Sequence, residues 1–292
     1  MALTPRLPSP LTRLADDRLA GTGVLVWLKR DDLISAEIPG NKWRKLRYNL
    51  DAARAQGHRT LLTFGGAYSG HIRAVAAAGR YFGFETVGVI RGEEHLPLNE
   101  SLRYAASRGM RLTYLDRAAY RRKDTEDVLD QLRAEFGACY VLPEGGSNAL
   151  AVRGCAEVPG EITEPFDLIC CPCGTGGTLA GLAAGLRPGQ RALGFAVLKG
   201  AAFLDQEVAR LQREAVGAPT GNWSIRHDVH CGGYARRTPE LEGFIADFER
   251  RHALTLDWVY VAKMMRGIFA LAADGTLRPG TRLVAVITGP AG

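Results

Sequence analysis

Residues 167–181 read DLICCPCGTGGTLAG. An apolar run of strand length meets a glycine-rich turn, and small residues at helical spacing follow it. This is a strand, a loop at the strand's C-terminal end, and a helix. In Gly174-Thr175-Gly176-Gly177-Thr178 the glycines let backbone N–H groups converge on an anion, and the helix N-terminus adds favourable partial charge. Thr175 and Thr178 add hydroxyl donors. The loop is not a Walker A motif, since no Lys follows, nor a GxGxxG dinucleotide fingerprint. Close strand-to-helix packing is the competing explanation of such a glycine cluster.

The same alternation runs along the chain. Strands are expected at 24–29, 61–64, 86–90, 111–115, 139–142, 192–198 and 282–287. Helices are expected at 42–56, 70–82, 99–108, 122–136, 147–157, 201–215, 239–252 and 261–273. Strands alternating with helices of this length indicate βαβ units and an α/β fold with mostly parallel sheets. Ligands in such sheets sit beyond the C-terminal strand ends, near a reversal in strand order. Three further junctions are rich in glycine and polar residues: IPGNKWRKL (38–46), TFGGAYSGHIR (63–73) and LPEGGSNAL (142–150).

Bulk features narrow the function. The chain has 292 residues, 46% of them hydrophobic and 23% charged, as in ordinary globular proteins. No apolar run reaches the roughly 18–20 residues of a membrane span, and the Pro- and Arg-bearing N-terminal stretch MALTPRLPSPLTRL lacks the apolar core of a signal peptide. A cytoplasmic location and no membrane partner are expected. Net charge is +6, but the arginines are scattered, so no nucleic-acid partner is expected. Six cysteines in a chain this long do not make a disulfide framework. The CCPC run (170–173) has no second Cys/His pair near it, so no metal site is assigned and its cysteines read as buried strand residues.

Only six of the 37 basic residues are lysines: Lys29, Lys42, Lys45, Lys123, Lys199 and Lys263. Lys42 and Lys45 lie three apart at the expected start of one helix, near one face. The helix dipole disfavours cations there. A lysine held among other cations has a lowered pKa and can attack a carbonyl. A solvated surface turn is the plain alternative.

At these residues the chain resembles a known family. Lys29-Arg30-Asp31-Asp32-Leu33, Gly40-Asn41-Lys42-x-Arg44-Lys45-Leu46, Gly65-Gly66-x-x-Ser69 and Gly174–Thr178 are similar to motifs of the 1-aminocyclopropane-1-carboxylate deaminase and D-cysteine desulfhydrase family. These are pyridoxal-phosphate enzymes of the tryptophan-synthase-β-like fold. The likeness continues through Pro143–Ser147, Gly233-Tyr234, Leu256-Asp257-x-Val259-Tyr260-x-x-Lys263 and Thr288-Gly289, so it covers nearly the whole chain in order.

The resemblance implies two α/β domains with parallel-rich twisted sheets flanked by helices, and pyridoxal 5'-phosphate in the cleft between them. Residues 1–50 and 151–292 would build the larger domain and 51–150 the smaller, inserted one. Lys42 would bond to the cofactor aldehyde, and Lys45 would meet its phosphate beside Gly174, Thr175, Gly176, Gly177 and Thr178. Ser69 would handle a proton or attack near the substrate Cα. Tyr234 and Tyr260 would flank the substrate, and Thr288 would face the pyridine nitrogen. A homodimer and a small amino-acid substrate are also implied.

Departures from the family pattern bear on the reaction. Gly70 stands where the family usually has an Asn bonded to the cofactor's phenolic oxygen, leaving Asn41, His71 or water to serve it. Val261 replaces the Glu of the cyclopropane deaminases and the Ser or Thr of the desulfhydrases, whereas Thr288 matches the desulfhydrases. A ring nitrogen without an acidic partner is a weaker electron sink. The expected function is therefore lyase or deaminase chemistry, with D-cysteine-like β-elimination ahead of cyclopropane opening or a specialised amino acid. A catalytically weak cofactor-binding protein is the alternative from another class. Ser69 as a hydrolase nucleophile lacks the GxSxG elbow. Asp31 and Asp32 are expected to brace the lysine junction, and His71 to be a helix-start residue. His227 and His230 are expected to flank a strand.

Overall fold

The structure, a computed structural model, describes residues 3–290. The first stretch forms β1 (Leu11–Leu14), the single turn α1 (Asp17–Ala20), β2 (Leu25–Lys29) and α2 (Asn41–Ala55). The middle forms β3 (Thr60–Gly65), α3 (Gly70–Phe82), β4 (Glu85–Arg91), α4 (Glu100–Ser107), β5 (Met110–Leu115), α5 (Arg117–Arg121), α6 (Glu126–Phe136) and β6 (Tyr140–Leu142). The remainder forms α7 (Ala149–Cys155), β7 (Leu168–Cys173), α8 (Gly177–Ala184), β8 (Arg191–Ala196), α9 (Phe203–Val216), β9 (Trp223–Arg226), α10 (Pro239–His252), α11 (Val261–Ala273) and β10 (Arg282–Val286).

Two sheets result. One has the order β1-β2-β10-β7-β8-β9 and the other β5-β4-β3-β6. Every pairing is parallel except β1 with β2. All six residues of β3 are buried, as a parallel strand covered by helices on both faces must be. The larger sheet draws its strands from residues 11–29, 168–226 and 282–286, and the smaller from 60–142.

Strand order reverses once in each sheet. From β7 the chain moves outward through β8 to β9, then returns as β10 on the other side of β7. From β3 it moves outward through β4 to β5, then returns as β6 on the other side of β3. Loops diverge at such points and leave a crevice at the strand C-termini. The four loops there follow β7, β10, β3 and β6, and three of them are glycine-rich junctions singled out by sequence.

Three expectations need correction. The helix expected over 122–136 begins only at Glu126, because residues 122–125 form a turn after a separate short helix, α5. Asp116 accepts N–H bonds from Ala118 and Ala119 to start α5, and the chain turns again before α6. β1 and β9 lie outside the predicted strands. Each has four residues at a sheet edge, too short for periodicity to register. His227 and His230 follow β9 instead of flanking a strand.

Candidate active site

The site starts from the N-terminus of α2. Gly40 has φ 66°, and a Cβ there would lie 1.9 Å from the Thr288 carbonyl oxygen, so only glycine passes. The Asn41 N–H then donates to that oxygen at 3.1 Å. This fixes the first turn of α2 against the loop after β10, with Thr288 buried beside it.

Arg44 orients the helix about its axis. Its guanidinium forms a two-pronged pair with Asp31 (2.7 and 2.8 Å) and another with Glu161 (2.8 and 2.9 Å). Lys29 donates to Glu161 at 2.7 Å and to the Ser9 carbonyl at 2.7 Å. Ser9 Oγ donates to Asp31 at 2.7 Å. Two cations thus meet two carboxylates in a buried, electrically neutral cluster. Asp31 braces the lysine helix as expected, whereas Asp32 closes on Arg30 at 2.7 Å and does not reach α2.

Lys42 and Lys45 face the other way, toward α8. Lys42 Nζ donates to Asn41 Oδ1 at 2.8 Å, and Asn41 Nδ2 donates to Thr178 Oγ1 at 2.9 Å. Lys45 Nζ donates to the Gly145 carbonyl at 3.1 Å and to Ser147 Oγ at 3.0 Å. Ser147 Oγ lies 2.7 Å from Thr175 Oγ1. A Cβ on Gly177 would sit 2.5 Å from Ser147 Oγ and 3.3 Å from Lys45 Nζ. Three hydroxyls and an ammonium therefore surround the open N–H groups that begin α8.

Neither lysine has a carboxylate ion pair among the described residues. Burial and the neighbouring Lys45 push the Lys42 amine down to about 7, against smaller opposing effects of Cys155 and Asp257. Burial also lowers Lys45. Burial raises the Asp257 carboxyl, although it accepts N–H bonds from Val259, Tyr260 and Val261.

The remaining walls come from three segments. Ser69 caps α3, its Oγ accepting from the N–H groups of His71 (3.2 Å) and Ile72 (3.4 Å). His71 is buried, with Nε2 2.9 Å from Thr63 Oγ1. The Thr63 hydroxyl proton goes to the Leu142 carbonyl, so His71 Nε2 carries the donated proton. Burial and both lysines hold the His71 pKa well below its usual value, which keeps the ring neutral. Tyr260 lies over Gly174 and donates its hydroxyl to that of Tyr234 at 3.2 Å. Lys263, fully buried, donates to the Gly233 carbonyl at 2.6 Å and holds the Tyr234 loop.

Comparison with known proteins gives this arrangement a family. A Pyrococcus horikoshii protein with the provisional name 1-aminocyclopropane-1-carboxylate deaminase is 31% identical, over 91% of this chain and 85% of its own length. An Arabidopsis thaliana protein named as a bifunctional D-cysteine desulfhydrase and 1-aminocyclopropane-1-carboxylate deaminase is 29% identical, over 97% of this chain and 76% of its own. The solved structure of an ACC deaminase homologue superposes with a TM-score of 0.85 at 29% identity, over 99% of this chain and 91% of its own. The family model for pyridoxal-phosphate dependent enzymes matches residues 3–289. The chain belongs to that family.

The donor set fits the cofactor of a pyridoxal-phosphate-dependent enzyme. Two cations without carboxylate partners are costly to desolvate, and a phosphate at the α8 N-terminus would offset that cost. A half-buried amine lowered to about 7 suits carbonyl attack. The sequence-chosen residues Asn41, Lys42, Lys45, Thr175, Gly177, Thr178 and Thr288 come together around this point. Tyr234 and Tyr260 pair beside Gly174, and Ser69 lies one turn from His71. Sequence reasoning missed Ser147 and Thr63 as site residues, and it gave Asp257 and Lys263 no role. A buried polar side chain next to a glycine junction is the signal that finds Ser147.

Proposed function

We propose that this enzyme is a lyase or deaminase of a small amino acid, most similar in reaction to D-cysteine desulfhydrase. The observation that carries the reading is the Lys42–Lys45 pair, unpaired and aimed at the glycine loop. When bound, pyridoxal phosphate supplies an electron-withdrawing ring that stabilises negative charge at the substrate Cα. Lys45, Ser147, Thr175, Thr178 and the loop N–H groups would hold its phosphate. Lys42 would hold the cofactor through its aldehyde, and Lys42 Nζ would hold and return the Cα proton. An amine near neutral pKa both accepts and returns a proton readily. Ser69 Oγ, positioned by two N–H donors, lies on the α3 side to share that proton. The tyrosine pair covers the substrate and excludes water.

Thr288 supports elimination over ring opening. A hydroxyl does not hold the ring nitrogen protonated as a carboxylate would, and loss of a thiolate needs a weaker electron sink than cyclopropane cleavage. In the overall reaction the Cα proton leaves, and the Cβ–S bond breaks with its electron pair on sulfur. One water then replaces nitrogen. D-cysteine plus water gives a 2-oxo acid, ammonia and hydrogen sulfide. Cyclopropane opening and a specialised amino acid are the runners-up. Exposed Gly70 favours a weak catalyst as the reading from another class, because it presents no side chain to the cofactor.

We infer the domain division 1–50 with 151–292, and 51–150, from the separate origins of the two sheets. A homodimer follows from the resemblance alone. Six free cysteines support a reducing, cytoplasmic setting. No helix among the described residues is long and apolar enough to cross a membrane.

Borohydride reduction of the loaded enzyme followed by peptide mapping tests the cofactor bond. The label is expected on Lys42; a label on any other lysine overturns the assignment. A panel of D- and L-amino acids scored for 2-oxo acid chooses the reaction. Labelled Lys42 with no product from any amino acid selects the weak-binder reading.

A further inference from the structure

A cavity of about 270 Å³ opens beside the tyrosine pair, lined by Leu198, Lys199, Gly232, Gly233, Tyr234 and Arg236. Its two charged side chains are both cations, and no carboxylate lines it. Neither Lys199 nor Arg236 has an ion pair or side-chain hydrogen bond among the described residues. The adjacent Arg237 is different: it stacks on Trp258 at 4.3 Å and reaches Glu242 at 3.9 Å. Lys199 and Arg236 are both exposed at the cavity rim, where solvent screens their mutual repulsion and leaves them free to attract an entering anion.

The cavity is built by a shaped loop. Cys231, Gly232, Gly233 and Ala235 all have positive φ (50°, 85°, 123° and 49°). For Cys231 and Ala235 that conformation is strained, and the surrounding structure has to hold it. Lys263 pins the loop from beneath through the Gly233 carbonyl. A Cβ on Gly233 would lie 3.5 Å from Lys199 Cβ, so the missing side chain keeps the space open. Lys199 belongs to the same strand-end array as the glycine loop, since the Val197 N–H donates to the Cys173 carbonyl just before Gly174. Tyr234 joins the cavity to Tyr260 and thence to Gly174.

We propose that this cavity is an anion subsite at the mouth of the cleft, in which Lys199 and Arg236 receive the negatively charged end of a substrate side chain. The chemical class is an amino acid ending in a carboxylate, sulfonate or phosphate. The inference rests on the lyase reading above and narrows its substrate. The smaller, uncharged end groups of cysteine or serine would leave the two charges unanswered.

The test uses the loaded enzyme. Rates are measured with both enantiomers of aspartate, cysteate and O-phosphoserine, against cysteine and serine. The anionic group is expected to lead in kcat/KM by about 10–100-fold, and the rank within it separates carboxylate, sulfonate and phosphate. Lys199→Met and Arg236→Met each reduce that lead about tenfold through KM, the scale of one charge-assisted contact. Lys199→Arg preserves it. Calorimetric titration with inorganic sulfate gives a second readout: affinity falls about tenfold or more in the Lys199→Met, Arg236→Met double variant, and not in Arg121→Met on α5. If neutral amino acids react best and sulfate binds the double variant as before, the subsite is overturned and the lyase reading stands. If no amino acid reacts while the double variant loses sulfate, the subsite stands and the lyase reading falls.

Discussion

The two sides of α2 treat buried cations in opposite ways. On one side Arg44 and Lys29 meet Asp31 and Glu161, and the four charges sum to zero. On the other, Lys42 and Lys45 meet amide, carbonyl and hydroxyl groups and no carboxylate. Arg44 and Lys45 are consecutive residues of one helix, so composition does not separate them. The difference is one of purpose. A paired cluster fixes the helix, whereas an unpaired pair keeps unspent positive potential for an incoming anion. The fixed side makes the other side possible, because the azimuth set by Arg44 aims Lys42 and Lys45 at α8.

The largest expected effect breaks the paired side. Arg44→Met leaves Asp31 and Glu161 buried and under-compensated, and a loss of about 3–5 kcal/mol is expected in denaturant unfolding. A loss below about 1 kcal/mol would mean the cluster is no better than a surface pair. The next effect separates the two sides. Lys45→Met removes an uncompensated charge, so the cofactor-free protein should unfold no more easily than the parent, while cofactor affinity drops about 10–100-fold. A matching loss of stability would show that Lys45 is structural like Arg44.

A third effect is a pH slope. Lys42 titrates near 10.5 when unfolded and about 7 when folded, so the unfolded chain binds more protons between those values. Stability of the cofactor-free protein is therefore expected to rise with pH across that window. Lowered Lys45 adds in the same direction, while Cys155 and Asp257 partly offset the lowering of Lys42. Lys42→Met should flatten the slope in thermal melts taken at successive pH values. An unchanged slope would assign the titration elsewhere.

Much of this is legible in the sequence. The glycine junctions at 38–46, 63–73, 142–150 and 171–181 carry backbone signals that depend little on context; three lie at the strand-order reversals, and 38–46 packs against the loop after β10. Ser69 was legible as a residue, and its N-cap bonding is the local geometry that a serine before a helix favours. The short edge strands β1 and β9 were not legible, because each gains a single partner and presents a mixed face. Sequence places His71 at a helix start, and only packing shows that it is buried beside Thr63 with its tautomer fixed.

The sequence by itself determined that the chain alternates strand and helix, that its lysines are few, and that two of them share a helix start. Those properties are local: spacing, turn chemistry and capping act within a few residues. Tertiary structure alone decided which charges are paired. Glu161 lies 117 residues from Arg44, and Ser147 lies 102 from Lys45. Whether a buried cation finds a carboxylate or a hydroxyl depends on which strand ends meet, and that is settled only when the two sheets close on their crevice.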